Sequence, residues 1–249
     1  MPVFRLSGDP LLFPSADLAE PGGLLCLGGN LSSERIIAAY RQGIFPWYSR
    51  GEPILWWSPD PRFVLFPEEL KVSDSMRRLL KQGAFEITFD KAFRDVIHEC
   101  RIRKRPGQKG TWITLEMQAA YCRLHEEGVA HSVEAWNGNR LAGGLYGLKM
   151  GKMFFGESMF YRESNASKAC FMTLVEKLKQ EGCRLIDCQV ETKHLASLGA
   201  RAIPRREYLK LLRSWCPAGS PPISPKRAAR LKRSTWRHWA RGRSRGKNI

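Results

Sequence analysis

The chain has 249 residues and is 43% hydrophobic, enough to bury a large core as one domain or two unequal ones, and no apolar run approaches the roughly 20 residues that span a bilayer. A net charge of +17 argues against an acidic, self-solvating chain and favours polyanion partners, nucleic acid before an anionic membrane surface. Seven scattered cysteines without a Cys-x-x-Cys pair read as reduced thiols, five histidines lack ligand spacing so no metal is expected, and the start lacks a secretory signal, so the predicted location is cytoplasmic.

Residues 22–33 lead through a Ser cap into a short helix carrying Ile36, Ile37 and Tyr40, which Gly43 ends. Residues 43–62 then place three Trp, a Phe and a Tyr among four prolines, a density that predicts neither a helix nor a central strand. Rings held on such a segment either stack unpaired bases or fill a seam between domains. A short helix over 73–82 follows with Met76, Leu79 and Leu80 inward, then a strand over 85–89. Asp90 is expected to cap a helix whose stripe is Phe93, Val96, Ile97 and Cys100.

The loop 101–110 carries five Lys or Arg and no acid, so it is either a solvated loop or a phosphate contact. Thr114 caps a further helix with Met117, Tyr121 and Leu124 inward and Gly128 beyond its end. Strands over 131–136 and 140–149 flank an Asn-Gly-Asn turn, and Gly143, Gly144 and Gly147 suggest a bulge or the close approach of a ligand backbone. Met150-Gly151 turns the chain into a strand at 153–155, which is expected to break at Gly156. Ser164 or Asn165 caps a helix with Phe171, Leu174, Val175 and Leu178 on one stripe, and Gly182 stops it.

The run 184–190 alternates as a strand, so Leu185, Asp187 and Gln189 share one face and Ile186, Cys188 and Val190 the other. An acid inside a strand needs a reason, since an ionised carboxylate there is costly unless paired. Two reasons stay open: a structural hydrogen bond or ion pair with an Arg, or chemistry shared with the neighbouring amide.

The order of elements from residue 85 predicts an α+β domain, a mixed and largely antiparallel sheet covered by helices, compatible with an acyltransferase of the GNAT type. The coenzyme A loop of such enzymes is absent, as are a Walker A loop and a dinucleotide fingerprint. A transferase built this way takes its acyl group already activated on another carrier.

Several ordered segments resemble one family, the leucyl/phenylalanyl-tRNA–protein transferases of bacteria. They are Gly-Gly-Leu-Leu-x-Leu-Gly-Gly (22–29), Gly-Ile-Phe-Pro-Trp (43–47), Ile-Leu-Trp-Trp-Ser-Pro-Asp-Pro-Arg (54–62), Gly-Thr-Trp-Ile-Thr (110–114), Gly-Glu-Ser-Met-Phe (156–160), Asn-Ala-Ser-Lys (165–168) and Leu-Ile-Asp-Cys-Gln-Val (185–190), with Ala-Ser-Leu-Gly-Ala and Ile-Pro-Arg-Arg after them. The resemblance implies a small N-terminal α/β domain (1–62), a GNAT-like catalytic domain (63–216) and a basic tail (217–249). It implies a monomeric enzyme that moves Leu or Phe from Leu-tRNA or Phe-tRNA to proteins with N-terminal Arg or Lys, marking them for degradation, with no cofactor and no membrane partner.

Carried over by position, Asp187 and Gln189 match the family's catalytic pair and Glu157 an active-site acid. Trp47 and Trp112 match the aromatics that handle the 3′-terminal adenosine, while Leu145, Phe154, Met159 and Ile186 fall where the Leu or Phe side chain is held. Leu145 stands where a Met is common, a departure that bears on the preference between Leu and Phe.

The chemistry asks little, because the aminoacyl ester is already activated and about a tenth of an α-amine with pKa near 8 is neutral at pH 7. The enzyme must position amine against ester, remove one proton from the attacking nitrogen and stabilise an oxyanion. Asp187, acting through Gln189, is the candidate to hold and accept that proton, either as a true base or as a group that only orients the amine and leaves the tRNA ribose hydroxyl to shuttle the proton. A non-catalytic RNA-binding protein, or a leucyltransferase acting on N-terminal acidic residues, are the competing readings. The tail holds ten of the positive charges and no acid, leaving +7 on residues 1–216, and a basic helix over 226–241 is expected to meet tRNA rather than lipid.

Overall fold

Side chains set where several helices begin. Ser32, Ser73, Thr114 and Thr192 each accept the backbone N–H three residues on, from Arg35, Met76, Met117 and Leu195. Each such cap satisfies a donor the first turn leaves free and is worth about 1 kcal/mol. The computed structural model describes residues 3–6, 9, 11–103 and 111–217. Most of the basic loop 101–110, including Gly110 of its motif, and the tail helix expected over 226–241 lie outside these residues.

In chain order the elements are β1 (Phe4–Arg5), β2 (Leu24–Leu27), α1 (Ser33–Arg41), β3 (Phe45–Pro46), β4 (Leu55–Trp57), β5 (Arg62–Leu65), α2 (Asp74–Gln82), β6 (Glu86–Phe89), α3 (Phe93–Ile102) and α4 (Leu115–Glu126). There follow β7 (Ala130–Asn137), β8 (Arg140–Met150), β9 (Met153–Tyr161), α5 (Ala166–Gln180), β10 (Leu185–Gln189), α6 (Lys193–Ser197), β11 (Arg201–Ile203) and α7 (Arg205–Trp215). No helix among the described residues is long and apolar enough to cross a membrane.

Two sheets result, a four-stranded one in the order β1-β2-β4-β3 and a seven-stranded one in the order β11-β5-β10-β9-β8-β7-β6. The chain is thus mixed α+β, and the large sheet is mostly antiparallel with one parallel pair, β9 and β10, joined by α5. One face packs α3, α4, α7, α1 and the small sheet into a core with Trp56, Tyr121, Phe155 and Leu212, and the other face packs α5 through Phe171, Leu174, Val175 and Leu178. The helical stripe expected for α5 is therefore the one it buries.

The proline-rich segment departs from expectation, since it supplies β3, β4 and the start of β5. The prolines are accommodated because Pro46 lies on the edge strand β3, while β4 and β5 contain none. Asp90 does not cap α3. It adopts φ 58°, accepts the Ser132 N–H at 2.8 Å and meets His131 Nδ1 at 2.8 Å, and the cap position is Ala92. The N–H groups of Lys91 and Ala92 instead reach the buried Glu134 carboxylate, each at 3.4 Å.

Gly156 does not break β9, which runs on to Tyr161 with a bulge. Gly147 faces Gly156 and Tyr146 faces Ser158, so Glu157 is the extra residue. The apolar pattern changes parity across it: Met153 and Phe155 point to the α4 face before the bulge, Phe160 after it. Of the two readings of the β8 glycines the bulge is the one seen, since Ala135 faces Gly143 and Trp136 faces Leu141, leaving Ala142 extra, and Gly147 lies opposite the bulge of β9; close neighbours within the chain hold them small. A Cβ at Gly143 would lie 2.7 Å from Ala166 Cβ of α5, and one at Gly147 would lie 2.6 Å from the Phe154 ring.

Candidate active site

The parallel pairing of β9 and β10 lasts only from Met153–Phe155 opposite Leu185–Asp187. Beyond it the strands part. β9 carries its bulge at Glu157, and β10 carries one at Cys188, after which Gln189 sits at φ 64° and pairs with Phe63 of β5. Two bulges at the same level re-aim the side chains on both lips of the opening. A non-glycine residue held in the left-handed region is the kind of local cost that surrounding contacts must offset.

Asp187 and Gln189 do not keep the alternation expected of them, because the bulge at Cys188 lies between them and their β5 partners, Val64 and Phe63, pack into opposite cores. Asp187 is fully buried and its carboxylate is saturated: Arg62 donates through Nε to Oδ1 at 2.9 Å and Nη2 to Oδ2 at 2.7 Å, Tyr208 donates to Oδ2 at 2.7 Å, and the Gln189 backbone N–H to Oδ1 at 2.9 Å. The Arg62 guanidinium lies between the rings of Phe45 and Tyr208, 4.7 and 4.6 Å from their centroids, and also reaches the Gly43 carbonyl at 3.3 Å. Of the two reasons left open for an acid in this strand, the ion pair with an Arg is the one realised. Burial raises the Tyr208 phenol well above its ordinary range, with Asp187 adding to this, so it stays a donor.

Glu157 has different company. Tyr40 Oη is 2.6 Å from Oε1, Tyr121 Oη 3.0 Å from Oε2, and the Gln189 side-chain Nε2 donates to Oε1 at 2.8 Å. Burial pushes this carboxyl up to about 8, outweighing the three hydrogen bonds that act in the opposite sense, and the Asp187 charge adds to the rise. Gln189 is held from both sides, its backbone by Asp187 and its amide nitrogen by Glu157. Its side-chain carbonyl oxygen is the amide atom left for a ligand.

Where the strands part lies a cavity of about 480 Å³. Leu145, Phe154, Met159 and Ile186 line one side of it, joined by Phe171, Leu174, Cys188 and Leu195. Trp47, Trp112, Tyr146, Glu157 and Ser158 line the other, and Gln189, Val190 and Glu191 form the rim between. The result is an apolar bowl next to an aromatic wall, with the Gln189 amide in the same lining. Trp47 is 37% exposed, its ring 5.7 Å from that of Trp57, and Trp57 Nε1 donates to the Trp47 carbonyl at 2.6 Å. The ring is thereby braced from behind and open in front, as stacking requires.

Of the residues singled out from sequence, Glu157, Gln189, Trp47, Trp112, Leu145, Phe154, Met159 and Ile186 all line this one cavity. Asp187 does not, and its link to Gln189 runs through a backbone N–H rather than a side chain. With its oxygens occupied by four donors, it has none free for a proton arriving through Gln189. Sequence reading missed Arg62 and Tyr208 around Asp187, Tyr40 and Tyr121 behind Glu157, and the contribution of Phe171 and Leu174 to the bowl. Tyr40 and Tyr121 fall on apolar helical stripes, and only a partner far away in sequence reveals what their hydroxyls do.

Comparison with known proteins is consistent along the chain. Residues 64–213 match the family model described as leucyl/phenylalanyl-tRNA protein transferase, and residues 29–60 match that of its N-terminal domain. The protein of that name from Syntrophobacter fumaroxidans is 57% identical over 212 residues, covering 85% of this chain and 90% of its own. Those of Syntrophus aciditrophicus and Stutzerimonas stutzeri are 58% and 57% identical, covering 86% and 83% of this chain and 89% and 92% of their own. Among solved structures, L-PGS from Bacillus licheniformis overlaps 69% of this chain and 57% of its own at 12% identity with a TM-score of 0.38, too loose to carry an argument.

Proposed function

Because this chain belongs to the leucyl/phenylalanyl-tRNA–protein transferase family, and is thus an aminoacyltransferase, we propose that it moves Leu or Phe from aminoacyl-tRNA to the α-amine of proteins that begin with Arg or Lys, marking them for degradation. One observation carries the assignment of the site: Gln189, held by Asp187 and Glu157, lines one cavity together with an apolar group and two Trp side chains.

In this reading the Leu or Phe side chain enters the bowl of Leu145, Phe154, Met159 and Ile186, where burial of a side chain of that size is worth about 2 kcal/mol. The 3′-terminal adenosine rests against Trp47 and Trp112. The ester carbonyl then sits at the junction, and the incoming amine approaches from the rim. The Gln189 carbonyl oxygen accepts one N–H of that amine and so points the nitrogen lone pair at the carbonyl carbon. The C–N bond forms, the ester C–O bond breaks, the nitrogen gives up a proton, and the departing ribose oxygen takes one up.

Asp187 is in this account a positioning residue. Its carboxylate fixes the strained backbone at Gln189 and thereby the height of the amide over the cavity. Glu191, exposed on the rim, offers a carboxylate to the cation of an N-terminal Arg or Lys. The net charge of +17 supports tRNA as the polyanion partner. The antiparallel β7-β8-β9 run, the bulge in β9, and the crossover through α5 to a diverging parallel strand support a GNAT-like catalytic part over 63–216. A cytoplasmic monomer fits the substrates.

The test is a transfer assay with labelled Leu-tRNA and peptides beginning Arg, Lys, Asp or Glu. Label should pass to the Arg and Lys peptides. Transfer to the acidic peptides, or tRNA binding without release of the amino acid, would overturn the reading.

A further inference from the structure

Glu157, Tyr40 and Tyr121 form a closed triangle of oxygen contacts: 2.6 Å from Tyr40 Oη to Oε1, 3.0 Å from Tyr121 Oη to Oε2, and 2.7 Å between the two phenol oxygens. Each side of the triangle is a hydrogen bond only if a hydrogen lies on it, and each phenol carries one. Both phenols keep theirs, because burial and then the Glu157 charge raise them well above their ordinary range. An ionised Glu157 therefore leaves one side as two oxygens facing each other with nothing between them. A carboxylic acid supplies the third hydrogen.

We propose that Glu157 rests as a neutral acid whose proton, with the hydroxyl protons of Tyr40 and Tyr121, closes a three-membered hydrogen-bond ring that fixes the side-chain amide of Gln189. The direction of the ring follows from Gln189. Its Nε2 donates to Oε1, so Oε1 is the acceptor oxygen and Oε2 carries the proton. Oε2–H then donates to Tyr121, Tyr121 to Tyr40, and Tyr40 to Oε1. Chains of this kind strengthen each member when every one is satisfied.

The groups around the ring agree with a neutral acid. Tyr40 comes from α1 and Tyr121 from α4, Tyr146 of β8 packs edge-on against the Tyr121 ring, and Phe155 packs edge-on against Tyr40. Arg62 is engaged by Asp187, whose own charge further disfavours ionising Glu157. Glu157 is then neither the counter-ion for a basic acceptor residue nor a base in waiting. It is the anchor of the amide that meets the amine, with Tyr40 and Tyr121 as positioning residues behind it. This consequence rests on the proposed role of Gln189, whereas the protonation state is measured without any turnover.

The experiment labels glutamate side-chain carboxyls with ¹³C and titrates the whole protein by NMR, taking the resonance lost in Glu157→Gln as that of Glu157. A neutral-acid shift at neutral pH with a midpoint near 8, well above the ordinary 4.5, is the expected result. A carboxylate shift at neutral pH with a midpoint near 4.5 would overturn the ring. Should Glu157→Gln fail to fold, Glu157→Asp gives the same assignment.

A second readout is the pH dependence of unfolding. An amide at 157 keeps the pattern of the neutral acid, since its carbonyl accepts from Tyr40 and its nitrogen donates to Tyr121. A folded pKa above the unfolded one means stability present below the unfolded value and lost as pH rises through the folded one. The wild type should thus lose stability relative to Glu157→Gln between about pH 4.5 and about 8, and hold a constant gap above. Curves that stay parallel through that window contradict the proposal.

Discussion

Two carboxylates flank Gln189, and they are buried by opposite means. Asp187 is surrounded by a bidentate Arg62 and a phenol, and its charge is met by a charge. Glu157 is surrounded by two phenols and an amide, and its hydrogen-bond partners among the described residues carry no positive charge. Taking a carboxylate out of water is costly, and the cost is either offset by a well-oriented cation or avoided by keeping the proton. Both solutions act on one residue, Gln189, so the likeness of two acids in sequence does not imply likeness of role.

Breaking the charged side of the comparison should have the largest effect. Asp187→Asn leaves Arg62 buried without its partner and is expected to cost about 3–5 kcal/mol of stability, read by chemical denaturation. Replacing the pair together, Arg62→Met with Asp187→Leu, should recover most of that stability because an apolar pair of similar volume can substitute for a buried ion pair. Transfer should stay low in the double variant, since the Gln189 N–H has lost its acceptor. A double variant that regains transfer along with stability would show that Asp187 serves the fold alone. On the uncharged side, Glu157→Gln at neutral pH should show no comparable loss of stability, which sharpens the contrast in a single pair of unfolding curves.

The next effects concern ligands rather than the core. Trp47→Ala and Trp112→Ala should each weaken aminoacyl-tRNA binding by about 1–3 kcal/mol with near-native melting, the usual worth of a base stacked on an aromatic ring. Unchanged tRNA affinity in the folded variants would return both rings to the role of filling the seam between the sheets. Smallest of all, Leu145→Met nearly conserves volume and should cost less than about 1.5 kcal/mol of stability. It should shift the ratio of kcat/KM for Phe-tRNA over Leu-tRNA by less than about tenfold.

What the sequence made legible follows from range. Local rules found α1 to α5 but not α6, because Ser73 and Thr114 cap within three residues and the stripe of α5 repeats within a turn. Alternation held over Leu185, Ile186 and Asp187 and failed at the bulge of Cys188, which separates Asp187 from Gln189. The bulge at Glu157 was invisible to alternation, since an extra residue looks like a break, and Gly156 invited that reading. Proline density hid β3, because local propensity does not tell an edge strand from a loop, and with it β4, an inner strand of three residues free of proline. The partners of the two acids are farther away still. Arg62 lies 125 residues from Asp187 and Tyr40 lies 117 from Glu157, distances over which no periodic pattern carries information. The resemblance of motifs supplied the site residues that line the cavity, and packing alone supplied the ones behind them.

Both carboxylates hold Gln189, one by its backbone N–H and one by its amide, and the proposed contact of that amide with the incoming amine is the central claim. Its most direct test is single-turnover transfer of labelled Leu from Leu-tRNA to a peptide beginning with Arg, comparing wild type with Gln189→Ala and measuring Leu-tRNA affinity on the same samples. The transfer rate should fall about 10²-fold or more, the scale of losing a group that acts on the reacting atoms, while affinity for Leu-tRNA is kept. A rate within a few-fold of wild type, or a loss confined to tRNA affinity, would contradict it.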